Sequence, residues 1–450
     1  MIILSDCKLI QMENETFDTP LKFYVESYGC SYNTADAETM TGLMTQAGGI
    51  AVPVAEDAAV IIVNSCTVKD RTTLELRKRL TSLKSLPQNP IVILTGCAPR
   101  IPSQAQEFSE FPMIGPDNLS SLVTVVTQAL RGKTISRIER LSVLSSRLSM
   151  PYRRHNDRIE IIPIAQGCLG SCSYCQTVLA RGRLHSAPIE CILSRVRSAL
   201  EAGVRVFWLT AQDCGAYGLD IGSNLAELMN AVSSVIDSFG TTVSAECRVR
   251  VGMANPNHIL SFISDFASAL SHPAFYKFAH IPVQAGSDRV LSEMKRPYCV
   301  DQFRAEVATL RSAIPEISIA TDIIAGFPGE TDSEFDETLA LMRELAPAVI
   351  NRSRYSPRPH TLAARMPQLQ SKVISSRSQQ LARLHEELVC DDLGKMIGRT
   401  VLVTVEQGNL CRTDSYKPVA VEGSNIPDNT QLLHVLITGV SRFHMTGKIV

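Results

Sequence analysis

Six β-rich, apolar runs alternate with helical stretches between residues 158 and 392, and this alternation limits the possible folds more than any other feature. The strand candidates are RIEIIPIA, VRVFWLT, ECRVRV, KFAHIPV, EISIATDI and AVINRSRY, and helical spacing follows most of them. Strands that alternate with helices form parallel sheets, because each helix carries the chain back to the same end of the sheet. Six units fall short of the eight in a complete barrel, so we expect an open (βα)6 partial TIM-like barrel.

Two further patterns flank this segment. Residues 21–133 alternate KFYVESYG, AAVIIVNS and PIVILTG with helical stretches, which predicts a doubly wound parallel sheet. Residues 393–450 carry alternating runs with Gly and Pro between them, which predicts a small C-terminal β-barrel. Residues 1–20 are interpreted as a loose leader, and the basic, Ser-rich residues 134–157 as a linker. The expected fold class is therefore α/β with a small all-β module.

Composition excludes several classes of protein. Lys and Arg number 44 and Asp and Glu 45, so any nucleic-acid binding must come from local patches. No run reaches the roughly 18 apolar residues that a membrane span needs, and MIILSDCKLI does not resemble a signal peptide. We therefore expect a cytoplasmic protein without membrane contact. In that reducing compartment the 13 cysteines stay free or bind metal.

Three of these cysteines lie in one Gly-rich loop after the first barrel strand. Cys168, Cys172 and Cys175 are spaced C-x3-C-x2-C, at the rim where barrel enzymes carry their chemistry. Three thiolates on a 4Fe–4S cubane leave one iron open for a substrate or cofactor. Two alternatives remain: three structural thiols, or a zinc site with His185 as fourth ligand, although zinc usually takes C-x2-C pairs.

This spacing, with Tyr174 before the last cysteine, resembles the radical S-adenosylmethionine enzymes. The resemblance implies that the open iron binds the amino and carboxylate groups of S-adenosylmethionine, which is then reductively cleaved to a 5′-deoxyadenosyl radical. It also implies contacts to that cofactor from Tyr174, Gln212, Asp213, Arg250 and Gln284. The alternatives are a helix N-cap for Gln212 and Asp213 and an internal salt bridge for Arg250. No catalytic residue is expected beyond the cluster ligands.

A second set of cysteines follows the strands of the first domain. Cys30, Cys66 and Cys97 each stand immediately past the carboxyl end of an expected parallel strand. Those ends share one rim of the sheet, so the three thiols should converge, and convergence in a reducing compartment suggests metal. Three ordinary buried cysteines are the alternative.

The segments YGCSYNTADAE, NSCTVKDRT and TGCAPR resemble the N-terminal domain of the methylthiotransferases, which implies a second 4Fe–4S cluster on Cys30, Cys66 and Cys97. LTAQDCGAYG, RVRVGMANP, HIPVQAGSDRVLSEMKRPY, DIIAGFPGETDSEFDETL and RYSPRPHTLAARM follow in the order of that family, so the resemblance covers residues 21–450. One departure is His360, which stands where the family block has glycine.

The loop GCLGSCSYCQTVLARGRLHSAP is most similar to the archaeal and eukaryotic members that act on N6-threonylcarbamoyladenosine in tRNA. The eukaryotic members carry a hydrophobic C-terminal anchor, and this chain stops at Val450 without one, so the archaeal type fits better. The resemblance implies addition of a methylthio group to C2 of that nucleoside at position 37. It implies the anticodon stem-loop of tRNA and an external electron donor as partners, and no protein partner is expected. The alternatives are a radical enzyme for isopentenyladenosine or for a protein, and a non-catalytic RNA-binding metalloprotein.

Basic residues in two places are candidates for RNA binding. The C-terminal module resembles a TRAM domain, in which Arg412 and Lys417 would contact phosphates and Tyr416 would stack on a base. Solvated surface charge is the alternative for each of them. A second basic face towards the anticodon arm is expected from Arg153, Arg154, Arg181, Arg183, Lys295, Arg296, Arg352, Arg354 and Arg358.

Overall fold

The computed structural model describes residues 16–67, 70–141, 147–423, 426–427 and 429–450. The first domain is a six-stranded sheet in the order β2-β1-β3-β4-β5-β6, and every pairing in it is parallel. Apolar cores lie on both faces, so the doubly wound sheet expected from the sequence is confirmed. Its strands are β1 (Leu21–Ser27), β2 (Gly49–Ala51), β3 (Val60–Ser65), β4 (Ile91–Gly96), β5 (Met113–Ile114) and β6 (Ser136–Arg137), and its helices are α1 (Ser31–Gln46), α2 (Asp70–Lys84), α3 (Pro102–Glu107) and α4 (Leu122–Leu130).

The second domain is the expected partial barrel. Its six parallel strands form two groups of three, β7-β10-β11 and β12-β13-β14, joined by a parallel bridge between Val249 and Phe275. The largest apolar core of the protein lies between these strands and the surrounding helices. The strands are β7 (Ile159–Pro163), β10 (Val206–Thr210), β11 (Arg248–Val251), β12 (Phe278–His280), β13 (Ser318–Ala325) and β14 (Val349–Arg354), with a small hairpin of β8 (Ala165–Gln166) and β9 (His185–Ser186). The helices are α5 (Thr177–Arg181), α6 (Ile189–Glu201), α7 (Leu225–Ser238), α8 (Thr241–Glu246), α9 (Pro256–Ile259), α10 (Ile263–Leu270), α11 (Asp288–Glu293), α12 (Val300–Ala313), α13 (Asp332–Leu345) and α14 (Ser371–Gly394).

Helix α1 of the first domain packs against the inner side of this partial barrel. Ala35 joins a small apolar cluster with Ile159 and Val206, and Ser31 Oγ lies 2.8 Å from Thr210 Oγ1 at the carboxyl end of β10. The first domain therefore lies over the rim where the C-x3-C-x2-C loop begins.

The last domain is a closed five-stranded barrel in the order β15-β16-β17-β19-β18, joined to the partial barrel by the long helix α14. It lies against the amino ends of the larger barrel's strands, because the backbone N–H of Lys277 donates to Asp414 O at 2.8 Å. Asn156 Nδ2 likewise donates to Glu406 O at 2.9 Å. The strands are β15 (Thr400–Gln407), β16 (Leu410–Thr413), β17 (Pro418–Val421), β18 (Leu432–Ser441) and β19 (His444–Ile449).

Parts of two expected segments lie outside the described residues, namely residues 1–15 of the leader and 142–146 of the linker. Ser136 and Arg137, which the sequence analysis places in the linker, form the last strand of the first sheet. A strand of two residues has no alternation to detect, which explains why it was not expected. Within the described part of the chain, no helix has both the length and the apolar character required to cross a membrane.

Candidate active site

Cys168, Cys172 and Cys175, which we call the loop triplet, lie in the loop between β8 and α5. The loop closes tightly at Gly167, which has φ +81° and whose added Cβ would lie 2.1 Å from Arg183 O. A Cβ at Gly170 would lie 3.3 Å from Cys168 Sγ and 3.5 Å from Cys172 Sγ, so these two sulfurs flank that glycine. Glycine is therefore required at Gly167 for the chain to turn back on itself.

Each sulfur of the loop triplet accepts one N–H hydrogen bond. Gly170 N donates to Cys168 Sγ at 3.2 Å, and Thr177 N donates to Cys175 Sγ at 3.3 Å. Arg296 Nη1 donates to Cys172 Sγ at 3.3 Å. Such N–H donors are the usual surroundings of cluster-bound thiolates.

The thiol of Cys168 is hard to ionise when no metal is bound. Burial, reinforced by the charge of Asp213, raises its pKa to about 12. Without metal this thiol is therefore protonated at neutral pH. Bound cations remove that penalty, because a coordinating thiol is deprotonated outright.

Cys30, Cys66 and Cys97, which we call the rim triplet, follow the carboxyl ends of the adjacent strands β1, β3 and β4. Cys66 and Cys97 come directly after their strands, and Cys30 comes three residues after β1. Gly29, at φ +105°, turns the chain so that its added Cβ would lie 2.8 Å from Cys66 Sγ. Cys66 and Cys97 are buried and Cys30 is exposed. The backbone therefore brings the three cysteines to one rim of the sheet, as the sequence predicts.

The rim triplet faces the helix that follows the loop triplet. Cys97 packs against Ala180 of α5, and the guanidinium of Arg181 lies close enough to Cys97 to interact with it electrostatically. Arg181 also forms an ion pair with Asp36 at 2.9 Å and donates to Asn33 Oδ1 at 2.6 Å. Both acceptors lie on α1, so one buried side chain of the second domain holds the first domain at its cysteines.

Arg358 also lies near both triplets. Its Nη1 donates to the backbone oxygen of Thr67, the residue after Cys66. Its charge also acts on Cys175, where it lowers the pKa of the thiol against the larger effect of burial. The two triplets therefore lie on facing surfaces of the two domains.

The fit of these residues to a metal can be tested on their geometry. In the part of the chain that the structure describes, no three His, Cys, Asp or Glu side chains form a single-ion site. This disfavours the zinc alternative, because zinc needs four ligands around one point. His185 is held in β9 opposite Gln166. A cubane spreads its sulfur ligands over separate irons, so the loop triplet with its N–H donors fits that group better.

Three of the residues expected to meet S-adenosylmethionine have partners within the protein, and their contact with the cofactor stays a prediction. Gln212 Oε1 accepts from Gly167 N at 2.7 Å, and the Tyr174 ring packs edge-on against Phe327 at 6.4 Å. Asp213 is fully buried and caps the turn that follows it, accepting from Gly215 N at 3.1 Å. The cap considered as an alternative for Asp213 is thus the role seen in the structure.

Asp213 also organises two residues that the sequence analysis did not select. Asn255 Nδ2 donates to Asp213 Oδ2 at 2.6 Å, and His258 Nδ1 lies 2.6 Å from the same oxygen. Burial opposes the charge of this carboxylate, but the hydrogen bonds from His258 and Asn255 outweigh it and hold its pKa below the usual value. The segment NPNH after RVRVGMA was the only sequence signal for these polar partners.

Arg250 and Gln284, also expected at the cofactor, lie near the interior of the partial barrel. The register pairs Arg250 with Trp208, whose ring centroid lies 5.4 Å from the guanidinium carbon. The Nε of Arg250 is buried without a hydrogen-bond partner. Gln284 has φ +73° and is bonded through its backbone to Asp322 O at 2.8 Å. No ion pair to Arg250 is seen among the described residues, so the internal salt bridge is not supported.

The three residues expected to bind RNA in the C-terminal barrel are engaged within the protein. Tyr416 lies 4.8 Å from the ring centroids of both Tyr276 and Phe278, at the junction with the partial barrel. Arg412 Nε contacts Glu406 at 3.3 Å, and Lys417 Nζ contacts Asp392 at 2.7 Å. All three side chains are half-buried, because this hairpin turns towards the larger barrel, and their role in RNA binding stays a prediction.

Only some residues of the second basic face are exposed in the structure. Arg181 and Arg296 are buried, with 4% and 7% of their surface exposed, so they do not belong to a surface. Arg183, Lys295, Arg352 and Arg354 are exposed, as expected.

Comparison with known proteins agrees with this geometry. A family model described as the Radical SAM superfamily matches residues 162–342, and one described as uncharacterized protein family UPF0004 matches residues 22–113. A probable threonylcarbamoyladenosine tRNA methylthiotransferase from Pyrococcus horikoshii is 37% identical over 405 residues, which cover 89% of this chain and 93% of that protein. The chain belongs to the threonylcarbamoyladenosine tRNA methylthiotransferase family. The family expected from the sequence is thereby confirmed.

Eukaryotic members of this family are equally similar. The threonylcarbamoyladenosine tRNA methylthiotransferase of Drosophila melanogaster is 36% identical over 441 residues, which cover 95% of this chain and 77% of the relative. That of Homo sapiens is 38% identical over 370 residues, which cover 81% of this chain and 62% of the relative.

Solved structures confirm the fold. The radical S-adenosylmethionine methyltransferase TsrM from Kitasatospora setae, with cobalamin and a 4Fe–4S cluster bound, matches with a TM-score of 0.57 at 15% identity and 77% coverage of each chain. The cobalamin-dependent radical enzyme OxsB matches with a TM-score of 0.51 at 11% identity, over 82% of this chain and 56% of that chain. Both likenesses concern the fold alone.

Proposed function

We propose that this methylthiotransferase adds a methylthio group to C2 of N6-threonylcarbamoyladenosine at position 37 of tRNA, in the cytoplasm. The observation that carries the proposal is the facing arrangement of the loop and rim triplets, joined through Arg181 and Arg358. The names of the relatives in archaea and animals support the substrate class.

The chemistry of the substrate requires a radical and a source of sulfur. A purine C2–H bond is not activated, so neither an acid–base pair nor an ordinary nucleophile can replace its hydrogen by sulfur at neutral pH. When bound, a 4Fe–4S cluster with S-adenosylmethionine at the loop triplet supplies a radical, and a second cluster at the rim triplet supplies the sulfur. Cys168, Cys172 and Cys175 would hold the first cluster, and Cys30, Cys66 and Cys97 the second.

The remaining residues act by position. Gln212 fixes the turn at Gly167, and Asp213 fixes Asn255 beside the loop triplet. Arg250 and Gln284 stay proposed cofactor contacts on the family resemblance alone, because the Arg250 guanidinium lies 5.4 Å from the Tyr416 ring, at the junction with the C-terminal barrel.

The tRNA contact is proposed for exposed residues of the second basic face rather than for the half-buried side chains of the C-terminal barrel. The chain is neutral overall, so the phosphates of the anticodon stem-loop must meet a local patch. The candidates are Arg183, Lys295, Arg352 and Arg354, all exposed. An external electron donor completes the proposed partners.

The test is an anaerobic assay of reconstituted protein with S-adenosylmethionine and dithionite. Two transcripts of one tRNA would be compared, with and without the threonylcarbamoyl group, and their nucleosides analysed by mass spectrometry. We expect the methylthio product only from the modified transcript. A product from isopentenyladenosine tRNA instead would reassign the substrate. Absence of 5′-deoxyadenosine would favour a non-catalytic RNA-binding metalloprotein.

A further inference from the structure

Arg296 is a buried arginine whose guanidinium touches the loop triplet. Its Nη1 donates to Cys172 Sγ at 3.3 Å and its Nε donates to Tyr298 Oη at 3.0 Å. Its Nη2 donates to the backbone oxygen of Pro282 at 3.2 Å and to Asn255 Oδ1. Every edge of the guanidinium is therefore occupied, which fixes its position relative to the sulfur.

Among the residues that the structure describes, no carboxylate pairs directly with Arg296. Three of its acceptors are neutral oxygens, and Asp213 reaches it only through Asn255. A buried charge is costly unless an opposite charge meets it. A negatively charged group bound by Cys172 would lie next to this cation and balance its charge.

We infer that Arg296 is a positioning residue that holds Cys172 as a cluster ligand and favours the reduced state of the cluster at the loop triplet. The inference rests on the proposed function. A 4Fe–4S cluster with three cysteine ligands is negatively charged, and reduction adds one electron, so a fixed cation stabilises the reduced state more than the oxidised state. In a titration with dithionite, the reductant donates that electron, no bond forms or breaks, and Arg296 keeps its proton.

The experiment uses the full chain with Cys30, Cys66 and Cys97 replaced by alanine, so that only the cluster at the loop triplet is observed. Arg296→Gln and Arg296→Lys are made in this background, and the reduced cluster is followed by electron paramagnetic resonance against potential. We expect the glutamine variant to be reduced about tenfold less favourably, which is a fall of about 59 mV for one electron. The lysine variant should recover part of that change.

Lys295→Asn is the matched control. The substitution removes the same charge as Arg296→Gln, and Lys295 lines the same cavity of about 470 Å³ beside Cys172. Unlike Arg296, Lys295 is exposed. Its φ is +56°, a value that asparagine tolerates. We expect its potential to equal that of the parent. A shift as large as that of Arg296→Gln would mean that any nearby charge acts alike, and would overturn the inference.

Three other outcomes are decisive. An Arg296→Gln protein with the iron content and potential of the parent would overturn the inference while leaving the proposed function intact. A glutamine variant that melts like the parent but binds no iron, beside a lysine variant that does bind, would support the positioning role. A parent protein without any cluster would refute the proposed function, and the inference would fall with it.

Discussion

Replacing Arg181 by glutamine should loosen the first domain from the partial barrel. The side chain is buried, and it joins α5 to Asp36 and Asn33 of α1 and to Cys97 of the rim triplet. Glutamine keeps most of the volume but removes the charge and the fork that reaches these partners. The change therefore tests whether this one contact sets the distance between the two triplets.

The loss of stability depends on how well Asp36 is paired once Arg181 is removed. Breaking a buried ion pair costs about 3–5 kcal/mol, because the surviving charge is left without a partner. Asp36 retains Arg147, which pairs with its other oxygen, so the lower end of that range applies. We expect a loss of about 3 kcal/mol, which is roughly a hundredfold change in the docking equilibrium.

The assay is urea unfolding of the metal-free protein, together with the rate at which Cys97 reacts with a thiol reagent. Cys97 is only 6% exposed and should react much faster in the variant. Arg183→Gln is the control, because Arg183 is exposed on the same loop and should change the stability by less than about 0.5 kcal/mol. Unchanged stability with an unreactive Cys97 would refute this account of the junction.

Three further results are expected. Glu306 is fully buried, and burial alone raises the pKa of its carboxyl to about 8, so the wild type should lose stability as pH rises from its ordinary range through about 8. Glu306→Gln should make that slope shallower in thermal melts recorded across this range, while Glu38 and Glu330, whose pKa values burial raises to about 7, keep part of it. His360→Gly should stabilise the protein by about 0.5–1 kcal/mol in urea unfolding, since His360 has φ +64° and glycine carries no strain there. Tyr416→Ala should cost about 3 kcal/mol, because Tyr416 packs on Tyr276 and Phe278, yet leave the tRNA dissociation constant unchanged in a filter-binding assay. If Glu306→Gln had the same pH dependence of stability as the wild type, the argument from the buried carboxyl would be wrong. A His360→Gly protein less stable than the wild type would contradict the argument from backbone strain. Weaker tRNA binding by Tyr416→Ala would contradict a purely structural role for that ring.

The parallel strands could be predicted because they are buried on both faces. The residues of VIIVNS are all buried, and such strands read as continuous apolar runs. The placement of Cys30, Cys66 and Cys97 at strand ends then predicted the shared rim. Strands β5 and β6, with two residues each, have too short a pattern to be detected.

The junction between the domains could not be predicted. It depends on contacts such as Arg181 with Asn33 and Arg358 with Thr67, which are 148 and 291 residues apart in sequence. A sequence pattern also does not show whether an arginine is buried. Arg296 in KRPY and Tyr416 in DSYK look like surface residues, and only their acceptors and aromatic neighbours place them inside.

The presence of a second cluster is the central claim, and the most direct measurement is the iron and sulfide content after anaerobic reconstitution. The wild type would be compared with the variant in which Cys30, Cys66 and Cys97 are all alanine. Two cubanes falling to one predict about eight irons in the wild type and about four in the variant. About four irons in both proteins would contradict a cluster at the rim triplet.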